Sequence, residues 1–481
     1  MKVLHVCSEA YPLVKTGGLA DVTAALPLAQ CDLGMDAQIL LPAYPGVRQM
    51  LPNVQTAIPI GDPMGFGEAR LIRGRMPDSG VPVWLVDCPP LFKREGGPYA
   101  DRAGVEWPDN AQRFALLGYA AALVAEAGAI VGWQPEVVHA HDWQAALAPA
   151  YLSFWQNRRC GTVFTIHNIQ YQGRFAHPLL EVLRLPPHSF NLYGLELYGD
   201  LSFLKAGVYY SAKLTTVSPT YSQEIQTPAF GNGLEGLLDS READLTAILN
   251  GVDYRLWDPG RDPWIVRQYG AENLENKAVN KTALQEELGL ELRVGAPLFC
   301  LVGRFVEQKG YDLVLGALGQ ILECGGQLVA LGTEDDPRLV EAFRGAAAAH
   351  PGRVVLAVGF NEPLTHRVLA GSDIFLAPSR FEPCGMAQMY GQRYGTLPIV
   401  RRTGGLVDTV TDLSDRENGT GFIFDWIESE DLGACIRRAV GLREDHVAWE
   451  RARKRAMARD FGWENTARRY RDLYLSVTNR A

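Results

Sequence analysis

Residues 2–22 read KVLHVCSEAYPLVKTGGLADV and predict the first strand, turn and helix of the fold. The apolar run at the start is typical of a buried β-strand, and the residues after the glycines predict a helix. A dinucleotide-binding turn would carry Gly-x-Gly-x-x-Gly at this position. This chain carries Lys15-Thr16-Gly17-Gly18 instead. The turn therefore combines a cation with two adjacent glycines, a combination suited to an anion.

Strand-length apolar runs recur along the whole chain. Continuous Val, Ile and Leu runs fit strands buried on both faces of parallel sheets, and their alternation with helices indicates an α/β fold of two doubly wound units. The stretch VDYRLWDPGRDPW (252–264) contains two proline turns and clustered charge, and it predicts the hinge between the units. The predicted strands are 3–7, 38–41, 83–86, 137–139, 162–166, 214–217, 247–249, 298–302, 328–331, 354–358, 374–377, 397–400 and 422–424.

The C-terminal stretch WENTARRYRDLYLSV (463–477) predicts an amphipathic helix. Its apolar residues recur at helical spacing, so one face must dock on another part of the protein. The residues on that face are Trp463, Ala467, Tyr470, Tyr474 and Val477.

Length and composition exclude several classes of protein. The chain has 481 residues, enough for two large domains or three small ones. It carries 46 basic and 55 acidic residues, a net charge of −9, which argues against a nucleic-acid partner. No apolar run approaches the roughly 20 residues that span a membrane. The eight cysteines form no C-x-x-C pair, and the start shows no signal peptide, so we expect a reduced, cytoplasmic protein without a membrane partner.

A second Gly-Gly turn repeats the first. Residues 402–406 read Arg-Thr-Gly-Gly-Leu, which matches Lys-Thr-Gly-Gly-Leu at 15–19, and both turns follow an apolar run and precede a helix. Glycine allows a ligand to approach the backbone closely, and the N–H groups at a helix start favour anions. Either turn alone could be a tight strand-to-helix connection with no ligand. Two basic Gly-Gly turns in one chain favour a functional role.

Charged side chains follow two predicted strands of the second half. Arg304 and Lys309 lie in LVGRFVEQKG (301–310), where a guanidinium and an ammonium suit a diphosphate. Solvated loop charges, with Lys309 paired to Glu307, are the alternative. Glu382 lies in SRFEPCGMAQMYGQRYG (379–395), where it could accept hydrogen bonds from sugar hydroxyls or only complement a helix dipole. Cys384 follows it, but no Cys-His-Asn signature supports a nucleophile.

Polar and aromatic residues cluster in the first half. His139 and His141 point to the same side of a predicted strand, but no third ligand is evident, so we expect no metal site. His167 and Asn168 follow the next strand and suit hydrogen bonding beside a reacting centre, although a strand-end histidine satisfied by backbone is the alternative. Aromatic rings stack on sugars, and their concentration here, Tyr99 included, indicates a carbohydrate in this half.

Taken together, these segments resemble the bacterial glycogen synthases, which are ADP-glucose-dependent α-1,4-glucosyltransferases related to plant starch synthases. The resemblance implies an α/β fold of GT-B architecture, with two Rossmann-like domains facing each other across a deep cleft. It places the acceptor glucan on domain 1–252, the donor on domain 253–460, and a helix at 461–481 that crosses back to the first domain. The segments are KTGGLADV, WPDNAQRFALL, VVHAHDWQAALAPAYL, FTIHNIQYQG, LKAGVYYSAKLTTVSPTYSQEI, NGVDYRLWDP, GRFVEQKGYDL, PSRFEPCGMAQMYGQRYGTLPIVRRTGGLVDTV and GTGFIFD.

The resemblance also implies five catalytic residues. Arg304 and Lys309 would hold the diphosphate of the donor, and Glu382 would bind the hydroxyls of its glucose. Lys15 would lie near the diphosphate and the glucose, and His167 would lie beside the transferred glucose.

Further residues would bind substrate. The backbone of the first Gly-Gly turn would approach the donor, the second turn would cap the distal phosphate, and an aspartate would support the first loop. Two residues would lie by the transferred glucose, two would line the donor glucose, and a tyrosine would receive the glucan end. The residues that approach the donor are Gly17 and Gly18, those that cap the distal phosphate are Thr403, Gly404 and Gly405, and the supporting aspartate is Asp21. Asp142 and Asn250 would lie by the transferred glucose, and Cys384 and Gly385 would line the donor glucose. Tyr99 would receive the glucan end.

Neither a cofactor nor a metal is expected, because basic side chains can neutralise the diphosphate. Many retaining two-domain transferases carry a glutamate eight residues after the first, but this chain has Tyr390 there. With no clear carboxylate nucleophile, a front-face route is expected rather than a covalent intermediate on Asp142 or Glu382. The residues leave open a UDP-glucose-dependent glucan synthase, a phosphorylase, a sucrose or trehalose-type transferase, and a non-catalytic sugar-nucleotide-binding protein.

Overall fold

The structure is a computed structural model that describes residues 1–55, 57–156, 160–293, 295–359 and 361–478. The chain forms two compact units. The first consists of Met1–Gly251 together with Trp463 and the residues after it, and the second of Val252–Gly462. The last three residues of the predicted terminal segment, 479–481, lie outside the described residues.

The first unit is built on a large twisted sheet. Its strands are β1 (Lys2–Val6), β2 (Asp36–Pro42), β3 (Ile58–Gly61), β4 (Ala69–Arg75), β5 (Pro82–Asp87), β6 (Val137–His141), β7 (Gly161–Ile166), β11 (Lys213–Thr216) and β12 (Leu245–Ala247). A separate small antiparallel sheet is formed by β8 (Arg174–Ala176), β9 (Glu196–Leu197) and β10 (Asp200–Ser202). Within the described residues the large sheet has nine strands in the order β12-β11-β7-β6-β1-β2-β5-β4-β3. All pairings are parallel except those of β4 with β3 and β5.

The seven strands predicted for this half are found, although the last overlaps β12 only at Ala247. The structure adds β3 and β4, which the sequence did not predict. Arg70, Arg73 and Arg75 interrupt the apolar residues of β4, so a search for continuous apolar runs passes over this antiparallel strand.

Helices cover both faces of the first sheet. They are α1 (Gly18–Asp32), α2 (Val47–Met50), α3 (Pro89–Phe92), α4 (Asn110–Glu126), α5 (Gly128–Val131), α6 (Asp142–Ala145), α7 (Leu147–Phe154), α8 (Leu179–Val182), α9 (Phe203–Tyr210), α10 (Pro219–Glu224), α11 (Glu235–Ser240) and α21 (Trp463–Thr478). Helix α21 packs against α1, β6 and β7. The five residues predicted for its apolar face are all buried, which confirms that face.

The second unit is a parallel sheet enclosed by helices. Its strands are β13 (Leu298–Val302), β14 (Gln327–Gly332), β15 (Val354–Val358), β16 (Ile374–Ala377), β17 (Leu397–Arg401) and β18 (Phe422–Phe424). Its helices are α12 (Lys277–Glu287), α13 (Tyr311–Gly316), α14 (Leu318–Glu323), α15 (Pro337–Ala349), α16 (Glu362–Gly371), α17 (Ala387–Arg393), α18 (Gly404–Thr409), α19 (Ser429–Glu444) and α20 (His446–Met457). The strand order is β15-β14-β13-β16-β17-β18, every pairing is parallel, and the six predicted strands are confirmed.

The order of the strands determines which loops meet. In the second sheet β13, β16 and β17 are neighbours, and in the first sheet β1, β6 and β7 are neighbours. Because parallel strands end at a common edge, the loops that follow these strands lie side by side within each unit. No helix among the described residues is long and apolar enough to cross a membrane.

A buried ion pair joins α12 to the start of β16. Lys281 Nζ lies 2.6 Å from Asp373 Oδ2, and the two side chains are only 8% and 12% exposed. The N–H of Leu298 donates to the same carboxylate at 2.9 Å. Burial alone would raise the pKa of Asp373, but the charges of Lys281 and Arg443 hold it below its usual value. The carboxylate therefore depends on Lys281 for compensation of its charge.

We expect Lys281→Met to lower the free energy of unfolding by about 3 kcal/mol at pH 7, because it leaves Asp373 charged and buried. Lys454→Met is the matched control, since Lys454 pairs with Glu450 at the surface, where the side chains are 45% and 53% exposed. Its cost should stay below about 1 kcal/mol. Urea titrations followed by circular dichroism measure both. Equal costs would show that Asp373 does not need its buried partner.

Candidate active site

A carboxylate and an ammonium meet at the carboxyl edge of the second sheet. Lys309 ends a short 3₁₀ turn after β13, and Glu382 lies in the loop after β16. Lys309 Nζ lies 2.6 Å from Glu382 Oε2, and Ser379 Oγ donates to the same oxygen at 2.9 Å. The alternative pairing of Lys309 with Glu307 is thus wrong. Arg304, also half-buried, lies in the same loop as Lys309.

The second Gly-Gly turn packs directly on the loop that carries Glu382. The N–H of Gly405 donates to the carbonyl of Glu382 at 3.0 Å. A Cβ on Gly405 would lie 2.2 Å from the carbonyl oxygen of Cys384, so no other residue fits here without moving the backbone. Gly385 and Gly404 have φ of +67° and +42°, a region that favours glycine. The predicted residues that the second unit brings together are Lys309, Glu382, Cys384, Gly385, Thr403, Gly404 and Gly405.

Two residues that the sequence did not single out support this loop. Gln388 lies buried in α17 and donates to the carbonyls of Cys384 and Gly385 at 3.1 and 2.9 Å. Ser379 orients the carboxylate of Glu382. A polar residue inside a helix or a loop carries no distinctive pattern, so only the packed structure identifies these two.

Tyr390, eight residues after Glu382, is part of the core. Its ring stacks on Trp257 at 4.0 Å with the planes 4° apart, and Trp257 stacks in turn on His366 at 3.9 Å. The position occupied by a glutamate in many related transferases therefore holds a buried aromatic ring.

In the first unit, Glu9 organises the Lys-Thr-Gly-Gly turn. Its Oε2 accepts hydrogen bonds from the N–H groups of Thr16 at 2.5 Å and Gly17 at 3.2 Å, and its Oε1 accepts one from the Tyr99 hydroxyl at 2.5 Å. Contrary to expectation, the Gly17 N–H thus has a carboxylate of the chain itself as its partner. The sequence did not single out Glu9, because a lone acid in a loop has no motif around it.

The other charged residues of this turn pair with each other. Lys15 Nζ lies 2.8 Å from Asp21 Oδ1, and both side chains are about one-fifth exposed. Asp21 therefore holds the lysine in place.

Asp142 closes the turn that carries His167. It begins α6 with a left-handed φ of +55°, and its Oδ1 accepts the N–H groups of His167 at 2.7 Å and Asn168 at 3.3 Å. Burial raises the pKa of the Asp142 carboxyl to about 7 and lowers that of His167 to about 3. At neutral pH His167 is therefore an uncharged hydrogen-bonding group.

His5 joins His139 and His141, so the expectation that the pair has no third neighbour is wrong. The three rings offer nitrogens that lie within 4.8 Å of one another, because β1 and β6 pair with His5 directly opposite His139. Sequence spacing could not show this, since 134 residues separate the two strands' histidines. All six ring nitrogens already have hydrogen-bonding partners in the protein, which makes the cluster a hydrogen-bonded network as it stands.

Asn250 lies just after β12 and is 6% exposed. Among the described residues its Oδ1 is buried with no hydrogen-bond partner. A buried acceptor without a donor costs free energy, so this atom is suited to a ligand hydroxyl or amide.

We expect the stability of the protein to fall between pH 4 and pH 7 through Asp142. Its pKa is higher in the folded than in the unfolded chain, so the folded state retains a proton that the unfolded state releases in this window. Asp142→Asn keeps an oxygen acceptor but cannot titrate. The free energy of unfolding of the Asp142→Asn variant minus that of the parent should therefore rise with pH, by up to roughly 1.4 kcal/mol per pH unit. Urea titrations at pH 5, 6 and 7 measure the difference, and a difference independent of pH would contradict the raised pKa.

Two family models together match most of the chain. Residues 2–240 match the starch synthase catalytic domain, and residues 287–456 match glycosyl transferases group 1. The chain is 51% identical to a glycogen synthase of Paramagnetospirillum magneticum, over 99% of this chain and 98% of the relative. It is 47% identical to a glycogen synthase of Rhodospirillum rubrum, with the same coverage.

Solved structures show the same architecture. The catalytic domain of starch synthase IV from Arabidopsis thaliana, bound to ADP and acarbose, superposes with a TM-score of 0.90 at 31% identity, over 100% of this chain and 99% of that one. A sucrose-phosphate synthase from Thermosynechococcus elongatus has a TM-score of 0.63 at 16% identity with full coverage of both chains, and this likeness concerns the fold alone. The chain has the GT-B fold and belongs to the glycogen synthase family, whose members are ADP-glucose-dependent glucosyltransferases.

Proposed function

We propose that this protein is a retaining glycosyltransferase that moves glucose from ADP-glucose to the non-reducing 4-hydroxyl of an α-1,4-glucan. This transfer is the elongation step of glycogen biosynthesis. The observation that carries the proposal is the Lys309–Glu382 pair beside the second Gly-Gly turn. A sugar nucleotide needs cations for its diphosphate and a carboxylate for its hydroxyls, and this pair supplies both 2.6 Å apart.

Lys309 and Arg304 bind the diphosphate of the donor in this proposal. As the glycosidic bond breaks, negative charge concentrates on the departing ADP, and the two cations stabilise it. Thr403, Gly404 and Gly405 add the start of α18 beside the distal phosphate. Since basic side chains neutralise the leaving group, no divalent metal is required.

Glu382 binds hydroxyls of the donor glucose. Its Oε2 is held by Lys309 and Ser379, so the carboxylate has a fixed orientation, and Cys384 and Gly385 line the same loop. A carboxylate that already accepts two strong hydrogen bonds is a weakened nucleophile, which supports its role in binding.

Residues of the first unit act on the transferred glucose and the acceptor. Neutral His167 and the unpartnered Oδ1 of Asn250 suit sugar hydroxyls. Lys15, held by Asp21, adds positive charge at the Gly17-Gly18 turn, where open space surrounds the Cβ direction of Gly17.

The acceptor hydroxyl attacks from the face that ADP leaves, which retains the α configuration. Asp142 Oδ1 already accepts two backbone N–H groups, so this carboxylate supports the turn rather than forming a covalent bond to glucose. Tyr99, whose hydroxyl donates to Glu9, is the residue that receives the glucan end in this proposal.

ADP is the proposed nucleotide because the related Arabidopsis starch synthase structure is described as bound to ADP and acarbose. The same description supports a glucan acceptor. A cytoplasmic location is also proposed, and the eight free cysteines are consistent with a reducing compartment.

The decisive experiment incubates the purified protein with a malto-oligosaccharide, EDTA, and either ADP-glucose or UDP-glucose, and follows oligosaccharide length. We expect elongation with ADP-glucose. Elongation with UDP-glucose alone would identify the other donor. Nucleotide-sugar binding without elongation by either donor would support a non-catalytic binding protein and overturn the proposal.

Lys309→Met should lower kcat/KM for ADP-glucose by roughly 100-fold or more, because it removes a cation from the developing charge of the leaving group. Lys454→Met removes a surface lysine of the same unit and should change kcat/KM less than twofold. Initial rates of ADP release measure both variants. A Lys309→Met enzyme within a few-fold of the parent would remove this residue from the catalytic site.

A further inference from the structure

A chain of buried hydrogen bonds ends at His167. Gln30 Oε1 lies 2.8 Å from His5 Nε2, His5 Nδ1 lies 3.0 Å from His141 Nε2, and His141 Nδ1 lies 3.0 Å from His167 Nε2. Gln30, His5 and His141 are completely buried. This first arm connects helix α1 with the strands β1, β6 and β7, and its last member is the histidine proposed to contact glucose.

A second arm leaves Gln30 in the opposite direction. Gln30 Nε2 donates to the Tyr474 hydroxyl at 3.0 Å, which lies 2.7 Å from His139 Nδ1, and His139 Nε2 lies 2.6 Å from Thr165 Oγ1. Thr165 Oγ1 is hydrogen-bonded in turn to Thr215 Oγ1. This arm contacts neither His141 nor His167 by a hydrogen bond.

The amide of Gln30 determines the direction of every bond in both arms. Burial lowers the pKa of His5 to about 4 and those of His139 and His141 far below the usual value, so each ring carries one proton at neutral pH. Because the Gln30 oxygen can only accept, His5 donates from Nε2 and accepts at Nδ1. His141 must then donate from Nε2 to His5.

These protons determine the tautomer of His167 as well. His141 accepts at Nδ1, so His167 donates from Nε2 and keeps a lone pair on Nδ1. His167 is half-buried, and among the described residues no hydrogen-bond partner of its Nδ1 is found. In the second arm Tyr474 accepts from Gln30 and donates to His139 Nδ1, which makes His139 an Nε2–H tautomer as well.

We propose that Gln30, His5 and His141 are positioning residues that hold His167 as the Nε2–H tautomer, so that its Nδ1 accepts a hydrogen bond from a substrate hydroxyl. The proposal rests on the proposed function of His167. Rotating the Gln30 amide by half a turn would reverse both arms and convert all four histidines to Nδ1–H, in which His167 would donate to substrate instead. The carboxamide at one end of the chain thus determines the hydrogen-bonding character of the group at the other end.

Nitrogen chemical shifts of the ring atoms distinguish the two states directly. The full-length protein, labelled with ¹⁵N-histidine, should show neutral Nε2–H tautomers for His5, His139, His141 and His167 at pH 7, with signals assigned from single histidine variants. An Nδ1–H signal for His167 would overturn the proposal. So would shifts of a metal-bound ring in the cluster. Because this measurement does not depend on catalysis, it tests the tautomer even if the glucosyltransferase activity is absent.

Variants of Gln30 then connect the tautomer to catalysis. Gln30→Met removes the acceptor of His5 and should lower kcat by roughly tenfold, with KM for ADP-glucose changed less than twofold and a mixture of His167 tautomers. Gln30→Glu keeps an oxygen acceptor and should restore kcat to within about threefold of the parent and the Nε2–H signal of His167.

Thr215→Val is the matched control, because it removes a buried hydroxyl from the second arm only. It should leave kcat and the His167 signal unchanged. The proposal fails if Gln30→Met retains the parental tautomer and kcat, if Gln30→Glu is as impaired as Gln30→Met, or if Thr215→Val lowers kcat as much as Gln30→Met.

Discussion

The common edge of parallel strands is the constraint on which the rest of the protein depends. A parallel strand must be reached by a crossover, so each parallel strand of these sheets ends on the same side as its parallel neighbours. Glu382, His167 and Lys309 lie within a few residues of such an end. The sheet thus supplies the position of each loop, and the loop sequence supplies only the chemistry. This explains how residues far apart in the chain, such as Lys309 and Glu382, come to lie 2.6 Å apart.

Buried polar groups then hold the loops in single conformations. Glu9 accepts two backbone amides and a tyrosine hydroxyl, Asp142 accepts two further amides, and Gln388 donates to two carbonyls. Leaving any of these groups unpaired in a low-dielectric interior would cost about 1–3 kcal/mol. A loop that moves would therefore lose its contacts and also leave a buried polar group without a partner. The side chains of these loops therefore have fixed orientations.

Much of the fold could be predicted from patterns of apolar residues. The runs in the second half predicted every described strand of its sheet, because all six strands are rich in apolar residues and read as continuous apolar segments. Strand β4 escaped prediction because three arginines interrupt its apolar residues, and the short strands β8, β9 and β10 are too brief to show a period. The terminal helix was evident from its apolar face, with Tyr470 and Tyr474 one turn apart.

Local sequence determined the two α/β units and the residues of the second glycine turn, where the positive φ of Gly404 and the close backbone approach at Gly405 favour glycine. Glu9, Gln30 and Gln388 have no such local signature. Their importance comes from partners that are far away in the chain, as when Gln30 on the first helix meets Tyr474 on the last. Strand register decided that His5 lies opposite His139, and burial decided that Asp142 and His167 have displaced pKa values. Hydrogen bonds and desolvation depend on three-dimensional neighbours, and no spacing along a single chain contains that information.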